Sequence, residues 1–441
     1  MKLSRLLPIA AALGVLLAPA AHAQSLVELY ESARAYDATY QSARLQYDAT
    51  LARADQARAG LLPTAGLSAG YTRSNFDNTN PLIPDRSYPT GNATLSASQP
   101  LYRPANRATY EQGLRQIDLA QAQLDGAEQE LIVRVAQAYF DVLAAQDTLA
   151  FVRAQKSAVG EQLASARRNF EVGTATVTDS REAQARFDLV TAQEIAADND
   201  LRVKKLALDQ LVGKSGADPR PLALPVQLPA PDGQSVEAWV QTAQDRHPGV
   251  RQNLVAVDIA RLETEKARAG HKPTVDAVAS YAVTRSPEGT ASSALNNRAN
   301  LGTIGVQMNL PLFAGFAVQN RIRETLALED KASSDLEATR RTVAQGTRTA
   351  YFGVISGQGQ VKALEAAEAS SQLALDANKL GYQVGVRINI DVLNSQSQLF
   401  QTKRDLAQAR YNVLLGNLRL RQASGTLAPQ DLQSVNALLA R

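Results

Sequence analysis

The chain contains the same unit twice, and this duplication is the strongest constraint that its sequence places on the fold. Motifs in the first half return about 210 residues later with little change in spacing. Ala138-Tyr139-Phe140 returns as Ala350-Tyr351-Phe352, and Glu171-Val172-Gly173 returns as Gln383-Val384-Gly385. A period of this length is too long for one solenoid repeat, so it predicts two copies of a larger structural half.

A proline-rich stretch separates the two halves. It contains Pro219, Pro221, Pro225, Pro229 and Pro231. Such a run forms neither a helix nor a central strand, so it is predicted to be a linker. The predicted division is therefore a first repeat, a linker, a second repeat and a tail, over 24–213, 214–235, 236–425 and 426–441.

An export signal precedes the first repeat. Lys2 and Arg5 are followed by a short apolar run, and the segment ends in Ala21-His22-Ala23. This pattern predicts a signal peptide over residues 1–23 that is cleaved after Ala23. The apolar run is too short to span about 30 Å of hydrocarbon, and no later stretch has the length and apolarity of a transmembrane helix. The processed chain is predicted to be periplasmic, secreted, or part of an outer membrane as β-structure.

The composition excludes several classes of function. With 46 Lys and Arg against 43 Asp and Glu, no nucleic-acid partner is expected. The absence of cysteine excludes disulfides, thiolate metal sites and cysteine nucleophiles. His247 and His271 lack ligand-spaced partners, and Leu208 stands where a phosphate-binding loop ending in Gly213-Lys214-Ser215 needs its first glycine. No catalytic residue, metal or cofactor is therefore predicted.

Each half is predicted to hold an opening helix, a β-region, a very long helix and a return helix. The stretch 105–170 lacks proline and is rich in strong helix formers. At 1.5 Å per residue it would be roughly 100 Å long. Its thin apolar seam, separated by alanines, is typical of coiled coils, and on the helices alone a fibrous coiled coil fits equally well. The predicted helices cover 25–60, 105–170, 179–212, 236–270, 316–382 and 391–424.

Four segments alternate with a period of two residues. Between Leu301 and Leu312, for example, Ile304 and Val306 alternate with glycine and polar residues. Loops at 74–90 and 286–298 separate the segments of each pair. This length and alternation are typical of a transmembrane strand with one face toward lipid and the other toward water. A soluble sandwich is the alternative, but it would need larger residues on its inner face.

Four strands cannot close a membrane barrel, and lipid does not tolerate an open sheet edge. Several chains must therefore share one barrel. Two chains would supply eight strands and three would supply twelve, and this arithmetic leaves both possibilities open. Pro100 and Pro311 lie where strand passes into helix, so the long helices are predicted to continue beneath the barrel.

The chain resembles the TolC-type outer-membrane efflux and type I secretion channels over essentially its whole processed length. The matching motifs are Ala59-Gly60-Leu61-Leu62-Pro63, Phe170 to Gly173 with Thr178-Asp179, Pro311 to Gly315, and Tyr382 to Arg387 with Asp391-Val392-Leu393. The resemblance implies an α+β membrane protein and a homotrimer. Three chains would form one twelve-stranded outer-membrane barrel, continuous with a helical periplasmic tunnel and girdled by an equatorial region.

The resemblance also implies a function and partners. The channel would be the exit duct for drugs or unfolded proteins, which reach it from an inner-membrane pump of the RND, ABC or MFS type and a periplasmic adaptor. The alternative is a soluble periplasmic coiled-coil adaptor or stalk protein. An adaptor would carry a single long hairpin, and a stalk would carry its barrel strands only at the C-terminus, so a strand pair in each half favours the duct.

The tips of the two helical hairpins have two interpretations. The residues alone favour helix capping, with Gly173 and Gly385 ending the long helices and Asp179 as an N-cap that forms a capping box with Glu182. The resemblance instead implies a gate. Its implied residues are the latch Asp179, Tyr382, Arg387 and Thr178, the lumen constriction Asp391 with Asn394 in place of a second Asp, and the adaptor-docking Gly173, Gly385, Val172 and Val384.

Overall fold

A computed structural model describes residues 23–79, 85–223, 225–226, 228–229, 233 and 235–440. The predicted signal peptide therefore lies outside the described residues, apart from Ala23, as do several linker positions. The first half forms α1 (Leu26–Tyr36), α2 (Ala38–Ala59), β1 (Thr64–Phe76), β2 (Arg86–Tyr102), α3 (Pro104–Glu171) and α4 (Val177–Val212). The second half repeats this order with α5 (Val236–Arg246), α6 (Pro248–Arg268), β3 (Thr274–Ser286), β4 (Asn297–Asn309), α7 (Ala317–Gln383) and α8 (Asn389–Ala423), and then α9 (Asp431–Asn436).

The described chain forms two compact units. The sheet unit comprises residues 44–124 and 249–340, and the hairpin unit comprises the described residues of 1–43, 125–248 and 341–441. Each unit draws on both sequence halves. The predicted repeat boundaries therefore remain a division of the sequence rather than of these units.

The long helices confirm the prediction from composition. α3 has 68 residues and α7 has 67. In the hairpin unit, Val152, Val159 and Ala166 recur every seven residues on α3 and pack against Ala183 and Val190 of α4. This spacing and packing are those of a coiled-coil seam. No helix in the described ranges is both long and apolar enough to cross a lipid bilayer.

Each opening helix is broken once, whereas the sequence analysis predicted one continuous helix. Asp37 separates α1 from α2, and its carboxylate accepts a hydrogen bond from the Tyr40 N–H at 2.8 Å, which satisfies an N–H at the start of α2. Asp37 is also held by Arg134, at 3.0 Å. In the second half, His247 precedes Pro248 and adopts an extended conformation, because a residue before proline disfavours the helical region.

The four predicted β-segments form one antiparallel sheet in the order β1-β2-β3-β4. The strands are longer than predicted at the first loop, since β1 reaches Phe76 and β2 begins at Arg86. Outer strands β1 and β4 each pair on one side only. The strand prediction is confirmed, and the sheet has two unpaired edges.

The register separates apolar from polar side chains. One row across the sheet contains Leu67, Leu95 and Tyr281, and a row on the other face contains Ser96 and Ser280. Other exposed residues of the apolar face are Tyr71, Ile304, Val306 and Met308. Ile304 is 89% exposed, so no part of the described chain covers this face.

The two strand-to-helix transitions differ in detail. Pro100 lies within β2, beside an irregularity in the pairing with β3, and α3 begins at Pro104. Arg103 follows β2 and donates two hydrogen bonds to the carboxylate of Asp276 in β3, at 2.7 and 2.6 Å. Pro311 follows the end of β4 by two residues. The bidentate pair ties the first transition to the sheet.

Candidate functional site

Both hairpin tips end their long helix with the same backbone motif. The Gly173 N–H donates to the Phe170 carbonyl at 3.0 Å. The Thr174 N–H donates to the Asn169 carbonyl at 2.8 Å, and the second tip repeats both bonds around Gly385. The two glycines have φ values of +79° and +78°. This is a Schellman motif, and it confirms that these glycines end the helices, because only glycine adopts the left-handed region cheaply.

The first return helix begins with a capping box that differs from the predicted one. Thr176 is the N-cap, and its hydroxyl accepts a hydrogen bond from the Asp179 N–H at 3.2 Å. The Asp179 carboxylate accepts in return from the Thr176 N–H at 2.9 Å. The prediction that Asp179 is the N-cap and pairs with Glu182 is wrong. Helix α4 begins at Val177, two residues before Asp179. Thr176-x-x-Asp179 and Asp179-x-x-Glu182 have the same spacing, so the pattern alone did not distinguish the two possible capping boxes.

The predicted latch residues contact different partners within one chain. Arg387 lies 3.6 Å from the carboxylate of Asp391. The Tyr382 hydroxyl accepts a hydrogen bond from the side-chain amide of Asn169 at 3.4 Å. The Asp179 carboxylate accepts a hydrogen bond from the hydroxyl of Thr176, the N-cap of α4. Thr178 is exposed in the first turn of α4. The single chain thus joins one latch residue to the constriction, and the complete latch stays a prediction.

The constriction residue Asn394 is held by the other hairpin. Its side-chain oxygen accepts a hydrogen bond from Arg186 of α4 at 2.9 Å. Near it, the fully buried Asn389 accepts from Gln162 and donates to the backbone carbonyl of Asp179, the latter at 3.4 Å. Sequence reasoning missed Asn389, because its burial against the other hairpin is a tertiary contact that the sequence does not signal.

Gly381 is a second residue that the sequence analysis missed. The side chain of Arg387 lies over it, and a Cβ at Gly381 would be 2.7 Å from the Cγ of Arg387. A side chain at this position would displace the arginine. The signal was a glycine in the last turn of α7, where the first half has Asn169.

An exposed apolar side chain precedes each tip glycine. Val172 is 71% exposed and Val384 is 66% exposed. In the second tip, Val386 and Ile388 are exposed as well. Both tips therefore present apolar side chains to solvent, in addition to the charged side chains of the predicted latch.

A column of hydrogen bonds joins the two hairpins along α3. The pairs are Asn169 with Tyr382, Gln162 with Asn389, Gln155 with Ser397, Asp147 with Tyr411, and Gln137 with Arg419. Leu393 of α8 adds an apolar contact between the hairpins. Hydrogen bonds are directional, but they exchange for water at a small net cost. The column thus sets the register of the two hairpins.

One member of this column is a shielded carboxylate. The hydroxyl of Tyr411 donates to Asp147 at 2.6 Å, and the Tyr411 ring stacks on Phe140 with centroids 5.7 Å apart. Burial raises the pKa of Asp147, while the Tyr411 hydroxyl and the charge of Arg410 partly oppose this effect. Among the described residues, no group of His, Asp and Glu side chains is arranged to hold a metal ion.

Comparisons with known proteins place this chain among outer-membrane proteins. A family model described as outer membrane efflux protein matches residues 29–214 and 239–426. The chain is 33% identical over 437 residues to the outer membrane protein TolC of Vibrio cholerae serotype O1, covering 99% of this chain and 98% of that protein. It is 32% identical to TolC of Escherichia coli strain K12, covering 95% and 86% respectively.

Further similarities extend to a secretion protein and to solved structures. The alkaline protease secretion protein AprF of Pseudomonas aeruginosa is 32% identical, covering 96% of this chain and 89% of AprF. A crystal structure of CusC superposes with a TM-score of 0.81 at 18% identity, over 91% of this chain and 92% of CusC. The outer membrane protein VceC of Vibrio cholerae superposes with a TM-score of 0.77 at 20% identity, over 91% and 96%. These structures have the same fold as this chain.

Replacing Tyr411 by Phe removes the hydroxyl that donates to Asp147. The half-buried carboxylate then lacks this donor, and we expect a loss of roughly 1–2 kcal/mol in stability. Because the pKa of Asp147 in the folded state is raised, its contribution is full below the unfolded pKa and is lost as pH rises through the folded pKa. Because the Tyr411 hydroxyl lowers the pKa of Asp147, removing it raises this pKa further and destabilises the ionised carboxylate more than the protonated one. The penalty, measured by thermal unfolding, is therefore larger at pH 7 than at pH 4.

Two further variants show whether the carboxylate of Asp147 causes the penalty. Asp147→Asn in the Tyr411→Phe background should recover part of the lost stability, because the neutral amide needs no charge-stabilising donor. Tyr351→Phe is the control, since Tyr351 is a half-buried tyrosine of the same unit that packs against Trp239, Val354 and Leu420 rather than donating to Asp147. A penalty that does not change with pH would contradict the role of the carboxylate.

Proposed function

The chain belongs to the outer membrane efflux protein family, and from this membership we propose that it is the outer-membrane exit duct of an efflux pump or a secretion system. It passes drugs or unfolded proteins to the exterior. Relatives named for efflux and for protease secretion support both kinds of cargo. We propose no catalytic role, because passage through the duct is transport rather than chemistry.

The observation that carries this proposal is the two-faced sheet with unpaired edges. Its apolar face is exposed in the described chain, while the other face carries serine, threonine and glycine. In hydrocarbon, each unpaired backbone group costs several kcal/mol, so β1 and β4 require neighbours. Three copies would supply twelve strands, with the apolar faces toward lipid and the polar faces toward a water-filled lumen.

The rival function, a soluble periplasmic adaptor or stalk, explains less. A soluble protein would have to cover Leu67 and Ile304, which are 76% and 89% exposed. An adaptor with one long hairpin also lacks the second strand pair. Both strand pairs of this chain contribute to a single sheet.

The proposed partners are a periplasmic adaptor and an inner-membrane pump of the RND, ABC or MFS type. The docking surface for the adaptor is proposed at the hairpin tips, around Gly173, Gly385, Val172 and Val384. The exposure of both valines supports this, because apolar side chains open to solvent mark sites of protein association. A trimer would present six such tips.

The proposed gate is an iris in which the second hairpins move relative to the first. In the closed state, Arg387 and Tyr382 would hold Asp179 across the tips. The 3.6 Å contact between Arg387 and Asp391 supports a breakable latch, because exposed ion pairs contribute little stability. Arg387 would thus serve two carboxylates, one in the latch and one in the constriction.

Asp391 is proposed to line the lumen as a ring of three carboxylates. Such a ring favours cations at a narrow point. Asn394 at the second ring position contributes no charge and is bonded to Arg186. The duct would therefore have one acidic ring rather than two.

Assembly is the direct test of the proposed function. Cross-linking of outer-membrane extracts should yield a species of three chains that migrates differently when unheated, because closed barrels resist detergent until heated. The purified protein should form conducting channels in planar bilayers. A soluble periplasmic monomer would contradict the proposal and favour the adaptor or stalk.

Removing the latch with Arg387→Ala and Tyr382→Phe should raise the single-channel conductance in planar bilayers several-fold. The double variant removes the cation and the hydroxyl that would hold the tips closed. Lys379→Ala is the control, since it removes an exposed cation from the last turns of the same helix. An unchanged conductance in the double variant would count against the latch.

Asp391→Ala should weaken block of the channel by divalent cations, because three carboxylates leave the constriction at once. Asp376→Ala is the matched control, an exposed carboxylate on α7 that is bonded to Gln372. The measurement is the concentration of divalent cation that halves the conductance. Equal values for wild type and Asp391→Ala would show that this residue does not line the pore.

A further inference from the structure

Two arginines lie directly opposite each other near the loop end of the sheet. Arg285 of β3 is the cross-strand partner of Arg298 of β4. Both are exposed, and both lie on the apolar face, in register with the Tyr281 and Ile304 side of the strands. Like charges at directly opposed positions destabilise a sheet. An anion bound between the two guanidinium groups would offset this repulsion.

A third arginine lies on the same face at nearly the same level. Tyr71 of β1 pairs with Gly91, which in turn pairs with Arg285, so these three residues lie in one row across the sheet. Arg73 is the next residue of β1 on the same face, two positions closer to the loop than Tyr71. Its Nε donates to the hydroxyl of Ser87 at 3.0 Å. Within the part of the chain that the structure describes, no carboxylate forms an ion pair with any of these three arginines. The apolar face thus ends in a row of uncompensated positive charge.

The height of this row matches the edge of a bilayer. From Met308 to Arg298 the strand extends roughly 33 Å, at about 3.3 Å per residue. A strand tilt of about 40° reduces this to about 25 Å along the membrane normal, which is the height of the apolar band in outer-membrane barrels. Tyr71 lies in the same row as Arg285 and Arg298, and Tyr281 lies two same-face positions nearer the middle of β3. Tyrosine is enriched at membrane interfaces.

We propose that Arg285 and Arg298, together with Arg73, bind the phosphate groups of an anionic lipid in the outer leaflet of the outer membrane. This rests on the proposed function, which puts the sheet in that membrane with its loop end outward. Guanidinium groups bind phosphate in a bidentate geometry, and basic clusters at headgroup level recognise anionic lipids. Gly91, between Tyr71 and Arg285, contributes no side chain, and the ring of Tyr71 borders its position.

The opposite face supplies a matched control. Arg86 of β2 also lies near the loop end of the sheet, but on the opposite, polar face. Its guanidinium donates a hydrogen bond to the Glu288 carbonyl at 3.4 Å. In the proposed channel its side chain faces water rather than lipid. Arg86→Gln removes the same charge and should leave lipid binding unchanged.

The test measures binding of two purified lipids to the detergent-solubilised trimer by native mass spectrometry. The probes are lipid A carrying both phosphates and lipid A from which the phosphates have been removed. Wild type should prefer the phosphorylated lipid at least tenfold. Arg285→Gln with Arg298→Gln should lose that preference, and Arg298→Gln alone should lose part of it, which keeps the test decisive if the double variant does not assemble.

Three results would overturn the proposal. They are equal binding of the two lipids by wild type, an unchanged preference in the glutamine variants, and displacement of the lipid by inorganic phosphate at the same concentration, which would identify a free anion as the ligand. Single-channel conductance is measured in parallel. Variants that conduct like wild type but do not bind lipid A support the site, whereas failure of wild type to form channels would contradict the proposed function instead.

Discussion

A strand edge cannot face hydrocarbon, because lipid offers no partner for its N–H and C=O groups. This constraint governs the molecule, since one chain contributes four strands and leaves β1 and β4 with one free edge each. The edge strands find hydrogen-bond partners only when several chains associate. The barrel therefore closes in the same step in which the oligomer forms.

The two halves carry the same motif in unequal surroundings. Tyr139 and Phe140 are buried, and Phe140 stacks on Tyr411. Phe352, the counterpart of Phe140, is 57% exposed, and Gly359 stands where the first half has Asp147. Within one chain, α8 thus covers Phe140 of the first half, whereas the equivalent Phe352 of the second half stays exposed. Such an exposed apolar position is expected of a unit that assembles with copies of itself.

The cap contacts of Asp179 are compatible with its proposed role in the latch. Its carboxylate accepts hydrogen bonds from the backbone and the hydroxyl of Thr176 through one oxygen. An ionised carboxylate has about four lone-pair sites, so it can also accept from an arginine. The cap holds the carboxylate in place before any latch forms, and this preorganisation reduces the cost of the additional contact.

The sequence by itself determined the long helices, the four strands and the glycines that end the helices, because those features depend on periodicity and on backbone preferences within a turn or two. It placed the N-cap of α4 at Asp179, although the N-cap is Thr176. It also missed the break at Asp37, where α1 ends and the aspartate side chain caps the start of α2. Only the tertiary structure decided that Asn389 is buried against Gln162, that Arg387 covers Gly381, and that Arg285 faces Arg298. Hairpin packing joins Asn389 to Gln162 although they are far apart in the chain, the turn at the tip brings Arg387 over Gly381, and strand register pairs Arg285 with Arg298. These contacts depend on how elements pack and pair, which no local pattern in the sequence specifies.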